Sequence, residues 1–90
     1  MSTVKRWTVD VLVNDDEGRT YAEACLHSGE ADTRLVGVGR AKLNPSDRDI
    51  PEIGDELAAA RALCDLGQRL LVAAARDIEE VTHEPVRLQR

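Results

Sequence analysis

The chain has 90 residues, of which 42% are hydrophobic and 32% charged, with one Trp, one Tyr and no Phe. One thin core of Val, Leu, Ile and Ala is expected at this length, and the shortage of aromatics excludes a sheet that stacks several bases in the manner of an RNA-recognition motif. A net charge of −5 excludes a general nucleic-acid binder, because phosphate binding depends on Lys and Arg displacing counterions, so an RNA contact would need a local basic patch.

Trp7, Val9, Val11 and Val13 alternate with polar residues while Leu12 points the other way, which predicts a half-buried strand over about 5–13. The stretch Asn14-Asp15-Asp16-Glu17-Gly18 reads as a turn. A second alternating run over about 19–27 sets Ala22, Ala24 and Leu26 against Tyr21, Glu23 and Cys25. After a turn through Ser28-Gly29-Glu30, a third strand is expected over about 33–43. Short connections make the three an antiparallel meander.

Proline punctuates the remainder. The residues before it, Asn44, Ile50 and Glu84, are pushed toward extended geometry, which confines a helix to about 52–82 and leaves an extended tail over 84–90. Leu57, Ala60, Cys64, Gly67, Leu71, Ala74, Ile78 and Val81 recur at spacings of three and four. They are expected to form the helix face that packs on the sheet, widened by Leu63, Leu66 and Leu70, with Cys64 buried among them. A helix from Gly54 to Val81 would span roughly 42 Å, against about 30 Å for a nine-residue strand. It must either break near Ala73–Arg76 or overhang and meet a partner. The whole is one α+β domain over residues 1–90: a three-stranded meander packed by a long C-terminal helix. Apolar residues on both sheet faces and the over-long helix point to a homodimer.

No stretch approaches the ~20 apolar residues of a transmembrane helix and no apolar segment follows Lys5-Arg6, so a cytoplasmic protein with reduced cysteines is expected. Gly37-Val38-Gly39 lacks the third glycine of a dinucleotide loop and reads as a strand thinned for close packing. The acidic turn has its glycine one place early for a calcium loop, and its twelfth place is Cys25. Cys25 and His27 share a strand face, but only Cys64 and His83 remain to complete a site, with no zinc spacing. No nucleophile-elbow or HExxH pattern occurs, so no metal, cofactor or enzymatic activity is expected. Residues 44–83 hold most of the negative charge, whereas Arg34, Arg40 and Lys42 lie on strand three, Arg40 and Lys42 sharing one face. These three are either edge-strand charges that deter aggregation or an RNA- or partner-contacting patch.

The block Leu35-Val36-Gly37-Val38-Gly39-Arg40-Ala41-Lys42-Leu43-Asn44-Pro45, with Pro51-Glu52-Ile53-Gly54-Asp55-Glu56-Leu57-Ala58 and Ala60-Arg61-Ala62-Leu63-Cys64-Asp65-Leu66, resembles an actinobacterial family of small proteins of unassigned function. Trp7-Thr8-Val9-Asp10 and the segment from Asp77 to Pro85 fit the same pattern, so the likeness runs from about Trp7 to Leu88. The resemblance implies a double-stranded-RNA-binding-domain-like fold and a homodimer, and its mycobacterial members include a hypoxia- and dormancy-induced protein. It further implies a likeness in shape to ribosome hibernation-promoting factors. Two readings follow. One is a non-catalytic stress factor that binds the ribosome or its rRNA, with no role for DNA or membrane. The other is an acidic homodimeric protein–protein regulatory module that never touches RNA.

Overall fold

The computed structural model describes residues 2–29, 34–42 and 51–87, apart from the side chain of Pro51. Three strands, β1 (Thr8–Asp16), β2 (Arg19–His27) and β3 (Leu35–Lys42), form an antiparallel sheet in the order β1-β2-β3, and one helix, α1 (Pro51–Thr82), packs across it. The expected elements are present with shifted ends. β1 begins three residues later than expected and runs on to Asp16, because the turn needs only Glu17 and Gly18. Both take positive φ, at 49° and 77°, the geometry of a two-residue hairpin whose twist matches its strands. This fixes the register, pairing Asp16 with Arg19 and Thr8 with His27. The expectations at Asn44 and Ile50, and for the tail beyond Arg87, lie outside the described residues.

Alternation assigns the faces. Thr20, Ala22, Ala24 and Leu26 of β2 turn toward α1, with Gly37, Gly39 and Ala41 of β3 beside them. The core is small: Ala22, Ala24, Leu26, Ala41, Ala58, Ala62 and Leu66 are buried, with Leu35 and Leu70 packed against them. A Cβ added to Gly37 would run into the Ala62 carbonyl and the Leu66 amide, and one added to Gly39 into the Ala58 carbonyl. The helix backbone therefore rests directly on β3, as strand-thinning glycines predict.

The helix is rotated from its expected orientation. Its sheet-facing line is Gly54, Ala58, Ala62 and Leu66, while Cys64, placed in the core by the sequence reading, is exposed along with Leu57, Ile78 and Val81. The reason is steric: only small residues can sit where backbone meets backbone, so the line of larger side chains is turned outward. The helix is also unbroken. Its 32 residues span about 48 Å at 1.5 Å each, within a molecule 53 Å long, and its last turns overhang the sheet. It ends where His83 adopts φ of 60° and donates its N–H to the Glu79 carbonyl at 2.7 Å, with Pro85 barring continuation. The Val86 N–H then donates to Glu79 Oε1 at 2.9 Å, folding the tail back.

The two sheet edges differ. On β3, the Val38 N–H donates to Asp65 Oδ2 at 2.9 Å, and Arg61 Nη1 donates to the Arg40 carbonyl at 2.7 Å. Helix side chains thus occupy backbone groups of that edge. Among the described residues, none covers β1 in this way. The helix scarcely reaches it, and every residue from Thr8 to Asp16 is exposed, including Val9, Val11 and Val13 on the helix side.

Candidate nucleic-acid interface

Register brings three cations, Arg19, Arg40 and Lys42, together on the face of the sheet away from the core. Arg40 lies opposite Tyr21 and Lys42 opposite Arg19. The Arg40 guanidinium sits 5.1 Å from the centroid of the Tyr21 ring, a cation–π contact that holds a long side chain against an aromatic plane. The Tyr21 hydroxyl donates to Glu23 Oε1 at 2.8 Å. That bond, which favours the neutral phenol, raises the Tyr21 pKa. Glu23 is thereby engaged by Tyr21 and does not line the concavity. Arg61 arrives from the helix through its bond to the Arg40 carbonyl. Arg19, Tyr21, Arg40, Lys42 and Arg61, with Thr20 and Ala41, line an open depression of about 560 Å³, with no carboxylate among the described residues of its lining. Such a surface can pair phosphates with guanidinium and ammonium groups and offer one aromatic face to a base.

Arg34 does not join this cluster. It shares the side of β3 with Arg40 and Lys42 but lies at the opposite end, in a separate cleft with Asp65, Gln68, Arg69 and Arg76. The expected trio is therefore two sites. Three residues went unread in the sequence: Arg19, Tyr21 and Arg61. The first two follow once the β2–β3 register is known, and the connection that sets it cannot be read from composition. Arg61 depends on the rotation of the helix.

The other sequence candidates have structural occupations. Cys25 and His27 share the outer face, where His27 Nε2 lies 2.9 Å from Asp10 Oδ2. Among the described residues no group of three or more His, Cys, Asp or Glu could hold a metal ion. The space above Gly37 and Gly39 is filled by helix backbone. The acidic turn divides. Asp15 points to the helix side, where Thr20 Oγ1 donates to it at 2.7 Å, lowering its pKa. Asp55, in the first turns of α1, shares a hydrogen bond with Asp15, and its pKa is raised because two adjacent carboxylates cannot both ionise cheaply. Among the described residues no helix is long and apolar enough to cross a membrane.

A family profile described as Rv2632c-like matches residues 5–87. Uncharacterized protein Mb1767 of Mycobacterium bovis is 55% identical over 85 residues, which cover 94% of this chain and 88% of that protein. Uncharacterized protein Rv2632c of Mycobacterium tuberculosis is 46% identical over 82 residues, covering 91% and 86%. The crystal structure of Rv2632c superposes with a TM-score of 0.82 at 44% identity, covering 93% of this chain and 98% of that one.

Proposed function

The chain belongs to the Rv2632c-like family, and for this member of it we propose a non-catalytic factor that docks, as a homodimer, on RNA of the translation machinery. The observation that carries the reading is the gathering of Arg19, Arg40, Lys42 and Arg61 around the Tyr21 ring in a chain of net charge −5. An acidic chain that collects four cations and an aromatic at one place has a surface suited to a polyanion with stackable bases. What is assembled there is charge and one π-face rather than an acid–base or nucleophile pair, which is the support for a non-catalytic role. Ribosomal RNA as the target, and a role in stress or dormancy, are proposed on what the family resemblance implies. The helix takes part through Arg61, so the contact is not confined to the strands.

The homodimer has its own support. Leu57, Cys64, Leu71 and Ile78 recur every seven residues, and Ala60, Gly67, Ala74 and Val81 follow each by three. This is the a/d spacing of a helix-pairing seam, and all of these but the half-buried Leu71 are exposed. Small residues at alternate positions suit close approach of a second copy's helix.

Ribosome co-sedimentation over a salt series tests the RNA reading. The wild type is expected to sediment at low salt and release as salt rises. Arg40→Glu with Lys42→Glu is expected to bind more weakly, with a salt slope flatter by about two units for two lost phosphate contacts. If the wild type fails to sediment at low salt, or the double variant keeps the same slope, the acidic protein–protein module replaces this reading.

A further inference from the structure

A second basic site lies at the other end of β3, and nothing above uses it. Arg34, just before β3, faces Arg69 and Arg76 of the helix across a cleft of about 570 Å³, with Gln68 on its wall and Val36 and Val72 among its apolar lining. Arg69 and Arg76 are seven residues apart, so they stand on one side of α1 about 10 Å from each other. Among the described residues the cleft contains one acid, Asp65. Its Oδ2 accepts from the Val38 N–H at 2.9 Å and from Arg69 Nε at 3.0 Å, so its charge is already committed to holding β3 and Arg69 in place. Arg69 is thus oriented through Nε, and its two terminal nitrogens make no hydrogen bond among the described residues. Arg34 and Arg76 have no acidic partner among the described residues. Among the described residues, three guanidiniums against one occupied carboxylate give this cleft a surplus of two positive charges.

Guanidinium groups present paired N–H donors that match phosphate oxygens, and several on different elements suit an anion carrying several charges. The cleft differs from the Tyr21 surface in its lining, which among the described residues has no aromatic ring on which a base would stack. It also lies on the side of the helix away from the Leu57–Val81 seam, so pairing of two copies would leave it open. We propose that this cleft binds the clustered phosphates of a small molecule, the di- or triphosphate chain of a nucleotide or of an inorganic polyphosphate.

The test is a titration of the 15N-labelled full chain, followed by amide and arginine Nε–H resonances, with inorganic tripolyphosphate, ATP and adenosine as separate probes. Tripolyphosphate and ATP are expected to shift Val36, Gln68 and Val72 together with the arginine signals, and adenosine is expected to leave them in place. Equal affinity for the two phosphates assigns the site to the phosphate chain alone, whereas several-fold tighter binding of ATP assigns it to a nucleotide. Arg34→Gln with Arg76→Gln is expected to weaken binding about tenfold or more, having lost two charge-assisted contacts. Arg40→Gln with Lys42→Gln is expected to change it by less than about twofold, as those residues lie in the other depression. Retained spectral dispersion shows that each variant is folded. The proposal is overturned if millimolar tripolyphosphate moves none of these resonances. It is equally overturned if the Arg34 and Arg76 variant binds like wild type, or if the shifts map to Tyr21, Arg40 and Lys42 instead.

Discussion

At Gly39 the absence of one carbon decides how the layers meet. The Ala58 carbonyl and Ala62 amide occupy the space where its Cβ would stand, and backbone atoms cannot step aside as a flexible side chain can. Gly39→Ala is expected to lift the helix and cost about 1–3 kcal/mol, in the manner of an overpacked core, read as a lower midpoint in urea unfolding. The Asp15–Asp55 pair sets a different kind of constraint. With its pKa raised by the bond to Asp15, Asp55 contributes stability that is fully present below its unfolded value and lost as pH rises through its folded one. Asp15, lowered chiefly by the Thr20 hydroxyl, contributes stability that is lost as pH falls through its own folded value. The two effects place an optimum in mild acid, near the unfolded carboxyl range of about 4. Thermal unfolding of the wild type is therefore expected to shift downward from mild acid toward neutral pH. Asp55→Asn, whose amide can donate to Asp15 without titrating, is expected to remove that decline. A wild-type melting temperature that rises over the same range would contradict the shared proton.

Among the elements, the strands were legible and the orientation of the helix was not. Alternation at Val9–Val13 and Ala22–Leu26 is a period-two signal with one interpretation, and Gly18 marks the hairpin between them. The helix carries two apolar lines. The one with larger side chains, Leu57, Leu71, Ile78 and Val81, dominates any reading by hydrophobicity, yet Gly54, Ala58 and Ala62 are the residues that meet the sheet. The useful clue is the match between glycines two apart on β3 and small residues four apart on α1, each shaped for the other. That misjudged rotation also hid Arg61, and with it the composition of the basic cluster, while the separation of Arg34 from Arg40 is a matter of strand length. Cys64 distinguishes the two orientations. Being exposed, it is expected to tolerate Ala with no more than about 0.5 kcal/mol lost, the range of ordinary surface changes. Cys64→Asp is expected to leave the chain folded but split the pair, so that light scattering reads 9.9 kDa in place of twice that mass. If both variants and the wild type scatter as single chains, the seam pairs with something other than its copy.

For the whole molecule, the inventory of buried side chains is slight. Among the described residues five of the seven in the core are alanines, and Trp7, Val11, Val13, Leu57 and Ile78 remain exposed. A chain of this size is marginal even with a full complement of buried apolar area, so association is expected to supply part of its stability. The melting temperature should then rise with protein concentration, as it does whenever a partner binds only the folded state. Scanning calorimetry across a hundredfold range of concentration checks this, and a midpoint that does not move would mean that the alanine core suffices alone.

The unequal edges of the sheet bear on how far association can go. A fibre built by adding strands needs each molecule to offer two bonding sites, one for the copy before it and one for the copy after. Here Asp65 and Arg61 hold backbone groups of β3, which leaves β1 as the open border. With a single open border, strand addition can join two sheets but cannot continue past them. The helix that completes the fold also acts as a chain terminator for polymerisation, a safeguard for a small protein whose other border presents alternating valines to solvent.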